Sequence, residues 1–139
     1  MRFFDASALA KRYVAEIGSE QVAGLLAAGA AAVCRLTEVE VSSALARRLH
    51  SGALPHEEHR RCLSHLVADL EGLHVVEVDR SVAARTHDLL SRHRLRAADA
   101  IQLAACLELV AAGLQVEFVA YDDRLNDAAK GEGLLCRQE

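Results

Sequence analysis

The chain has 139 residues, 52% hydrophobic and 26% charged, with a formal net charge of −4. That length suits one globular domain, 1–139, and is too short for two, while the apolar share supports a real core and excludes a disordered chain. Aromatic residues make up only 4%, which excludes a base-stacking aromatic platform, so any nucleic acid would be held by its backbone.

Short apolar runs rich in β-branched or aromatic residues alternate with longer amphipathic segments, the pattern of βα units and a largely parallel sheet. Strands are expected at 2–5, 31–35, 74–78, 117–121 and 134–137, with helices over most of the rest. Ser7 is placed to cap the first helix, Gly18 and Gly29 bracket the second, and Gly52 with Pro55 separates the third from the fourth. The longest uninterrupted apolar stretch, 22–34, falls short of the roughly 20 residues of a membrane helix. Asp5 interrupts the first apolar residues and Lys11-Arg12 follow, the wrong order for a signal peptide, so a cytoplasmic location is expected. Cys34, Cys62, Cys106 and Cys136 are widely spaced with no close pair, which excludes a zinc ribbon or a redox motif and reads as buried small hydrophobes. His56 and His59 lie one helical turn apart but follow Pro55 in a polar first turn, and are not taken as ligands.

Open α/β sheets carry function at the carboxyl ends of their strands. Asp5 closes the run Phe3-Phe4 and Asp122 closes Phe118-Val119-Ala120-Tyr121, and each is followed by a helix. Either acid alone reads equally well as a helix cap, since carboxylates suit the positive end of a helix. Thr37 and Glu40 have the spacing of a capping box. Glu38 is the neighbouring alternative; two residues apart, the pair points about 200° around the axis, so at most one faces a given site. Periodicity alone does not choose between them. Asp99 lies in a segment, 97–107, that is apolar around nearly its whole circumference, which marks a buried helix. A buried carboxylate is costly unless it is paired, bonded to backbone donors or bound to a metal, and the helix start can supply such donors.

Four segments carry a resemblance: Asp5-Ala6-Ser7-Ala8-Leu9-Ala10-Lys11, Leu36-Thr37-x-x-Glu40, Leu95-Arg96-Ala97-Ala98-Asp99-Ala100-Ile101-Gln102-Leu103-Ala104, and Val119-Ala120-Tyr121-Asp122-x-x-Leu125. In order and spacing they resemble the successive motifs of PIN-domain ribonucleases, most of all the VapC-like toxins of type II toxin-antitoxin systems. The resemblance covers essentially the whole chain; its third motif is the most specific and its second the least. It implies a PIN-like (Rossmann-like) three-layer α/β fold with a central, mainly parallel sheet of four or five strands. It further implies that Asp5, Glu40, Asp99 and Asp122 bind Mg²⁺ or Mn²⁺ and cleave RNA, that Ser7 supports Asp5, and that the protein is a homodimer inhibited by a co-encoded antitoxin. The same likeness chooses Glu40 over Glu38. One departure stands out: the family often has Ser or Thr two residues before its last acid, and here that residue is Ala120. Asp123, just beyond Asp122, can then share the last role.

The chemistry agrees with that cluster. Hard divalent cations take oxygen ligands, and Mg²⁺ holds one or two protein carboxylates beside waters and phosphate oxygens. Asp5 and Asp99 are read as direct ligands, with Glu40 and Asp122 as ligands through water or contributors to a second site. A net charge of −4 makes a poor general RNA binder, and the four acids account for all of it, so metal becomes a precondition for RNA. Basic residues fall at Lys11-Arg12, Arg47-Arg48, Arg60-Arg61 and Arg92-x-Arg94-x-Arg96. The last group leads into Asp99, so Arg94 and Arg96, with Lys11 beside the first motif, are the candidate RNA contacts; solvated helix faces explain the others as well. Two rivals differ in class. A haloacid-type phosphatase wants a second acid where Ser7 stands, and a phospho-accepting receiver wants an acceptor near the third strand, a role open to Asp79, and a late lysine for which Lys130 is poorly placed. A third rival, a catalytically inert PIN-fold binding module, is disfavoured by the presence of all four acids.

Overall fold

The structure, a computed structural model that describes residues 1–137, contains all five expected strands, most ending a residue or two early. They are β1 (Arg2–Phe4), β2 (Ala31–Cys34), β3 (His74–Val76), β4 (Glu117–Val119) and β5 (Leu135–Arg137). The helices are α1 (Ala6–Leu9), which runs on into a single 3-10 turn at Ala10–Arg12, α2 (Ser19–Ala27), α3 (Arg35–His50), α4 (His56–Gly72), α5 (Arg80–Arg92), α6 (Ala97–Ala111) and α7 (Asp123–Gly131). Every strand pairing is parallel and the order is β3-β2-β1-β4-β5, so the expected mainly parallel sheet is wholly parallel.

Successive residues of a strand face opposite sides of a sheet, and here both sides are covered, which is why the strands read as unbroken apolar runs. Phe3, Ala32 and Phe118 pack with Leu89, Leu103 and Leu125 in one core, beneath α5, α6 and α7. Phe4, Val33 and Val119 pack with Leu9, Val22, Val41 and Leu66 in the other, beneath α1 to α4. Phe3 and Phe118, paired in register across β1 and β4, stack with ring centroids 5.9 Å apart and planes 11° apart. The buried body of α6 carries Ala100, Ala104, Ala105 and Cys106, small enough to lie close against the sheet.

Several local expectations are corrected. Asp5, not Ser7, caps α1, its side chain accepting from the Ala8 N–H. No capping box forms at Thr37 and Glu40, because β2 runs straight into α3 and the helix starts at Arg35. Thr37 is thereby inside the first turn and fully buried. Asp99 sits in the half-exposed first turn of α6 rather than in its buried body. Cys34 and Cys106 are buried, but Cys62 and Cys136 only partly so; all four are free. Among the described residues no helix is long and apolar enough to cross a membrane.

The chain steps outward from β1 through β2 to β3, then returns to lay β4 and β5 on the other side of β1. Between β1 and β4 the direction of winding reverses, and their tips lie side by side: the Asp5 N–H donates to the Val119 carbonyl at 3.1 Å. Such a reversal leaves a crevice at the carboxyl edge of the sheet.

Gly18 supports this edge from outside. It enters α2 at φ +92°, and a methyl group there would come within 2.8 Å of the Tyr121 ring. Gly18→Ala is therefore expected to cost about 1–2 kcal/mol from the left-handed backbone alone, and more from the displaced ring. Urea unfolding measures it; an unchanged midpoint would refute this account of the contact.

Candidate active site

Asp5 lies at the tip of β1 and is only 5% exposed. Its Oδ1 accepts the Ser7 hydroxyl at 2.7 Å and the Ala8 N–H at 3.0 Å, and the Ser7 backbone N–H also serves the carboxyl. The Ser7 oxygen in turn accepts the Tyr121 N–H at 2.9 Å, so one hydroxyl ties the first strand tip to the residue before Asp122. Burial pushes the Asp5 carboxyl up to about 6; the bonds from Ser7 and Ala8 oppose this, and the charge of Glu40 adds to it.

Asp122 caps α7, its Oδ1 accepting the Leu125 N–H at 3.0 Å. The Asp99 carboxyl is raised by burial first and then by the charge of Asp122, and lowered by the Arg96 backbone and by the charges of Arg96 and Arg124. Asp99 is the third residue of α6 and Arg96 its cap residue, so this contact resembles the return half of a capping box.

Glu40 stands in the second turn of α3, and its Oε1 accepts from Gln102 Nε2 at 2.9 Å. Glu38 is directed elsewhere, to Arg35 at 2.9 Å, and Arg35 also binds Glu77. The four acids are thus arranged as two pairs, Asp5 with Glu40 and Asp99 with Asp122, each close enough for one charge to raise the other's pKa. Among the described residues no three Asp, Glu, His or Cys side chains converge tightly enough to hold one ion between them.

That arrangement fits a hydrated hard cation better than a close-coordinated one. Mg²⁺ needs only one or two protein carboxylates. Each pair offers two, with one named oxygen each of Asp5, Asp122 and Glu40 engaged by the fold. Carboxylates held together partly out of water are also what a divalent cation relieves.

The expected cations differ in availability. Arg94 and Arg96 are exposed and form no salt bridge among the described residues, whereas Arg92 is bound to Asp88 and Glu132. Lys11 is drawn inward, donating to the Ile17 carbonyl at 2.8 Å and to Glu16 at 3.3 Å, with its ammonium 4.5 Å from the centre of the Tyr121 ring. Asp123 is exposed and lines a recess of about 210 Å³ with Gln21, Tyr121 and Arg137, a recess that Asp122 does not line. At Ala120 the missing hydroxyl is not replaced, but the residue's carbonyl accepts the Asn126 amide at 2.9 Å and fixes the start of α7. Two residues went unnoticed in the sequence. Arg124 acts on Asp99 from the first turn of α7, and Gln102 holds Glu40. A polar side chain in an otherwise apolar helix, three residues after Asp99, was the available signal for Gln102.

Comparison with known proteins agrees with this architecture. The PIN-domain family profile matches residues 2–131, and the chain belongs to that family. Its fold is shared with VapC20 of Mycobacterium tuberculosis, described as a toxin that cleaves the sarcin-ricin loop, at TM-score 0.68 and 19% identity over 92% of this chain and 95% of that one. It is shared with FitAcB of Neisseria gonorrhoeae at TM-score 0.69 and 15% identity, covering 99% and 97%. A toxin-antitoxin complex from Klebsiella pneumoniae gives TM-score 0.66 and 17% identity over 89% and 88%. A search of curated proteins gave no match.

The burial of Asp5 has a measurable cost. Its pKa lies at about 6 in the fold against an ordinary 3.8, so between these values the folded protein keeps a proton that the unfolded chain has lost. Stability of the metal-free protein therefore falls as pH rises through that window and levels off above it, by about 3 kcal/mol at most. Asp5→Asn retains the acceptor for Ser7 and Ala8 and removes the charge. In chelator-treated protein it is expected to raise stability at neutral pH and to change little below the ordinary carboxylate pKa. Urea unfolding across pH reads this out, and no gain at neutral pH would contradict the assigned strain.

Proposed function

We propose that the chain works as one PIN domain that hydrolyses RNA phosphodiester bonds with Mg²⁺ or Mn²⁺, and that it is the toxin of a toxin-antitoxin pair. The observation that carries this reading is the gathering of acids at the carboxyl edge of the sheet, where the strand order reverses: Asp5 and Asp99 are both raised, first by burial and then by a neighbouring acid, Glu40 for the one and Asp122 for the other. Asp5 and Asp99 would hold the cation, with Glu40 and Asp122 supporting it through water or at a second site. A bound divalent cation would supply activated water and neutralise charge on the phosphate. Ser7 keeps Asp5 in place while Tyr121, through the same hydroxyl, keeps the Asp122 segment beside it. Arg94, Arg96 and Arg124 hold phosphates leading to the acids, as charges free to leave solvent for a backbone oxygen. Lys11 joins them only by giving up its contacts with Ile17 and Glu16. Asp123 supports from the edge.

The antitoxin partner is proposed from the company the fold keeps: the Klebsiella structure is a toxin-antitoxin complex, and another neighbour is VapBC2 of Rickettsia felis bound to a promoter DNA fragment. A homodimer and a cytoplasmic setting complete the reading. A short upstream reading frame with a DNA-binding N-terminus is the genomic sign that goes with it. The receiver alternative loses its support in the strand order. A receiver sets its third strand beside its first, whereas here β3 is an edge strand and Asp79 merely caps α5.

Purified protein is expected to cleave RNA with added Mg²⁺ or Mn²⁺, to stop in chelator, and to lose at least about a hundredfold in rate on Asp5→Asn or Asp99→Asn. Glu40→Gln should lose comparably and Glu38→Gln should not. Full cleavage by both aspartate variants would sink the assignment, and tight RNA binding without cleavage by the parent would favour an inert binding module. Replacing Arg94 or Arg96 by alanine should weaken RNA binding evenly across sequences and reduce the slope of log affinity against log salt by about 0.7 per residue. An unchanged slope would remove them from the interface.

A further inference from the structure

Gln102 is 1% exposed and is the only amide in the buried part of α6, whose other buried side chains are Ala, Leu and Cys. An amide carried into such a place must find partners for both ends. Its Nε2 lies 2.9 Å from Glu40 Oε1 and 2.9 Å from Thr37 Oγ1, and its Oε1 accepts the Thr37 hydroxyl at 3.1 Å. Thr37 is itself fully buried. The chemistry fixes which way the amide points. A carboxylate only accepts, so the nitrogen must face Glu40, while the Thr37 hydroxyl can serve either end.

Gln102 also stands three residues after Asp99, on the same side of α6. One turn of this helix thus meets one acid pair at Asp99, which faces Asp122, and the other at Gln102, which grips Glu40. Gln102 holds Oε1 of Glu40, so the grip sets the direction of the other oxygen.

We infer that Gln102, locked by Thr37, is the positioning residue of Glu40 and couples the acid on α3 to the acids at the start of α6 and at the sheet edge. The inference rests on the proposed role of Glu40 in the acid site, and it adds the residue that orients it. Core packing alone would ask only for Thr37 and Gln102 to satisfy each other; the bond to Glu40 goes beyond that.

The test is direct Mn²⁺ titration of the full chain without RNA, followed by cleavage kinetics. Gln102→Leu, close in size and without donors, should weaken Mn²⁺ binding about tenfold, the scale of lost support behind a metal ligand. It should lower kcat and leave KM for RNA unchanged. In a Glu40→Gln background the same substitution should add nothing. Thr37→Val, which frees the amide to turn while keeping the volume, should give a smaller loss of the same sign and the same dependence on Glu40; it serves if Gln102→Leu does not fold. Equal losses with and without Glu40→Gln, or a loss in melting temperature only, would overturn the positioning role. If Glu40→Gln by itself leaves Mn²⁺ binding and cleavage untouched, the acid-site reading is what fails, and this inference with it.

Discussion

The parallel pairing of β1 between β2 and β4 is the constraint on which the other features rest. Arg2 and Phe3 of β1 meet both neighbours at once, Phe3 lying in register with Ala32 on one side and Phe118 on the other. That register sends Phe3 and Phe118 into one core and Phe4 and Val119 into the other, so a shift of one residue would exchange the faces of every side chain. It also brings Asp5 beside the end of β4. Because the chain winds away from β1 in both directions, the crevice at that tip lies open between two helices that start from adjacent strands.

The acids placed there serve two masters. Asp5 and Asp122 cap helices, Asp99 reaches back to the start of its own helix, and Glu40 takes the one amide of a buried helix. A single oxygen suffices for each structural bond, so the bland reading of these residues and the chemical one do not compete. What the fold does not provide for is their mutual repulsion. Burial and like charge raise Asp5 and Asp99 together, a strain at the carboxyl edge of the sheet that the fold itself leaves unrelieved.

The structural neighbours named above share 8 to 19% of residues with this chain and still superpose over most of its length. What such divergence leaves in common is the fold. Surface charge is freer to vary.

Much of the architecture was legible in the residues themselves. Runs such as Phe118-Val119-Ala120 bury on both faces and can be little else than strands of a covered sheet, while Gly18, Gly29 and Pro55 mark turns by backbone sterics that hold in any context. The acids Asp5 and Asp122 were recognisable because strand ends are local features. Their partners were not. Ser7 was expected beside Asp5, but that its hydroxyl would also hold the Tyr121 backbone, that Thr37 would turn inward, and that Gln102 would reach Glu40 across 62 positions depend on where distant segments meet. The helix start at Arg35 decided the second of these by moving Thr37 from cap to interior. Local sterics and periodicity act over a few residues and so can be read along a chain, whereas hydrogen bonds between its remote parts exist only after the sheet has closed and set their distances.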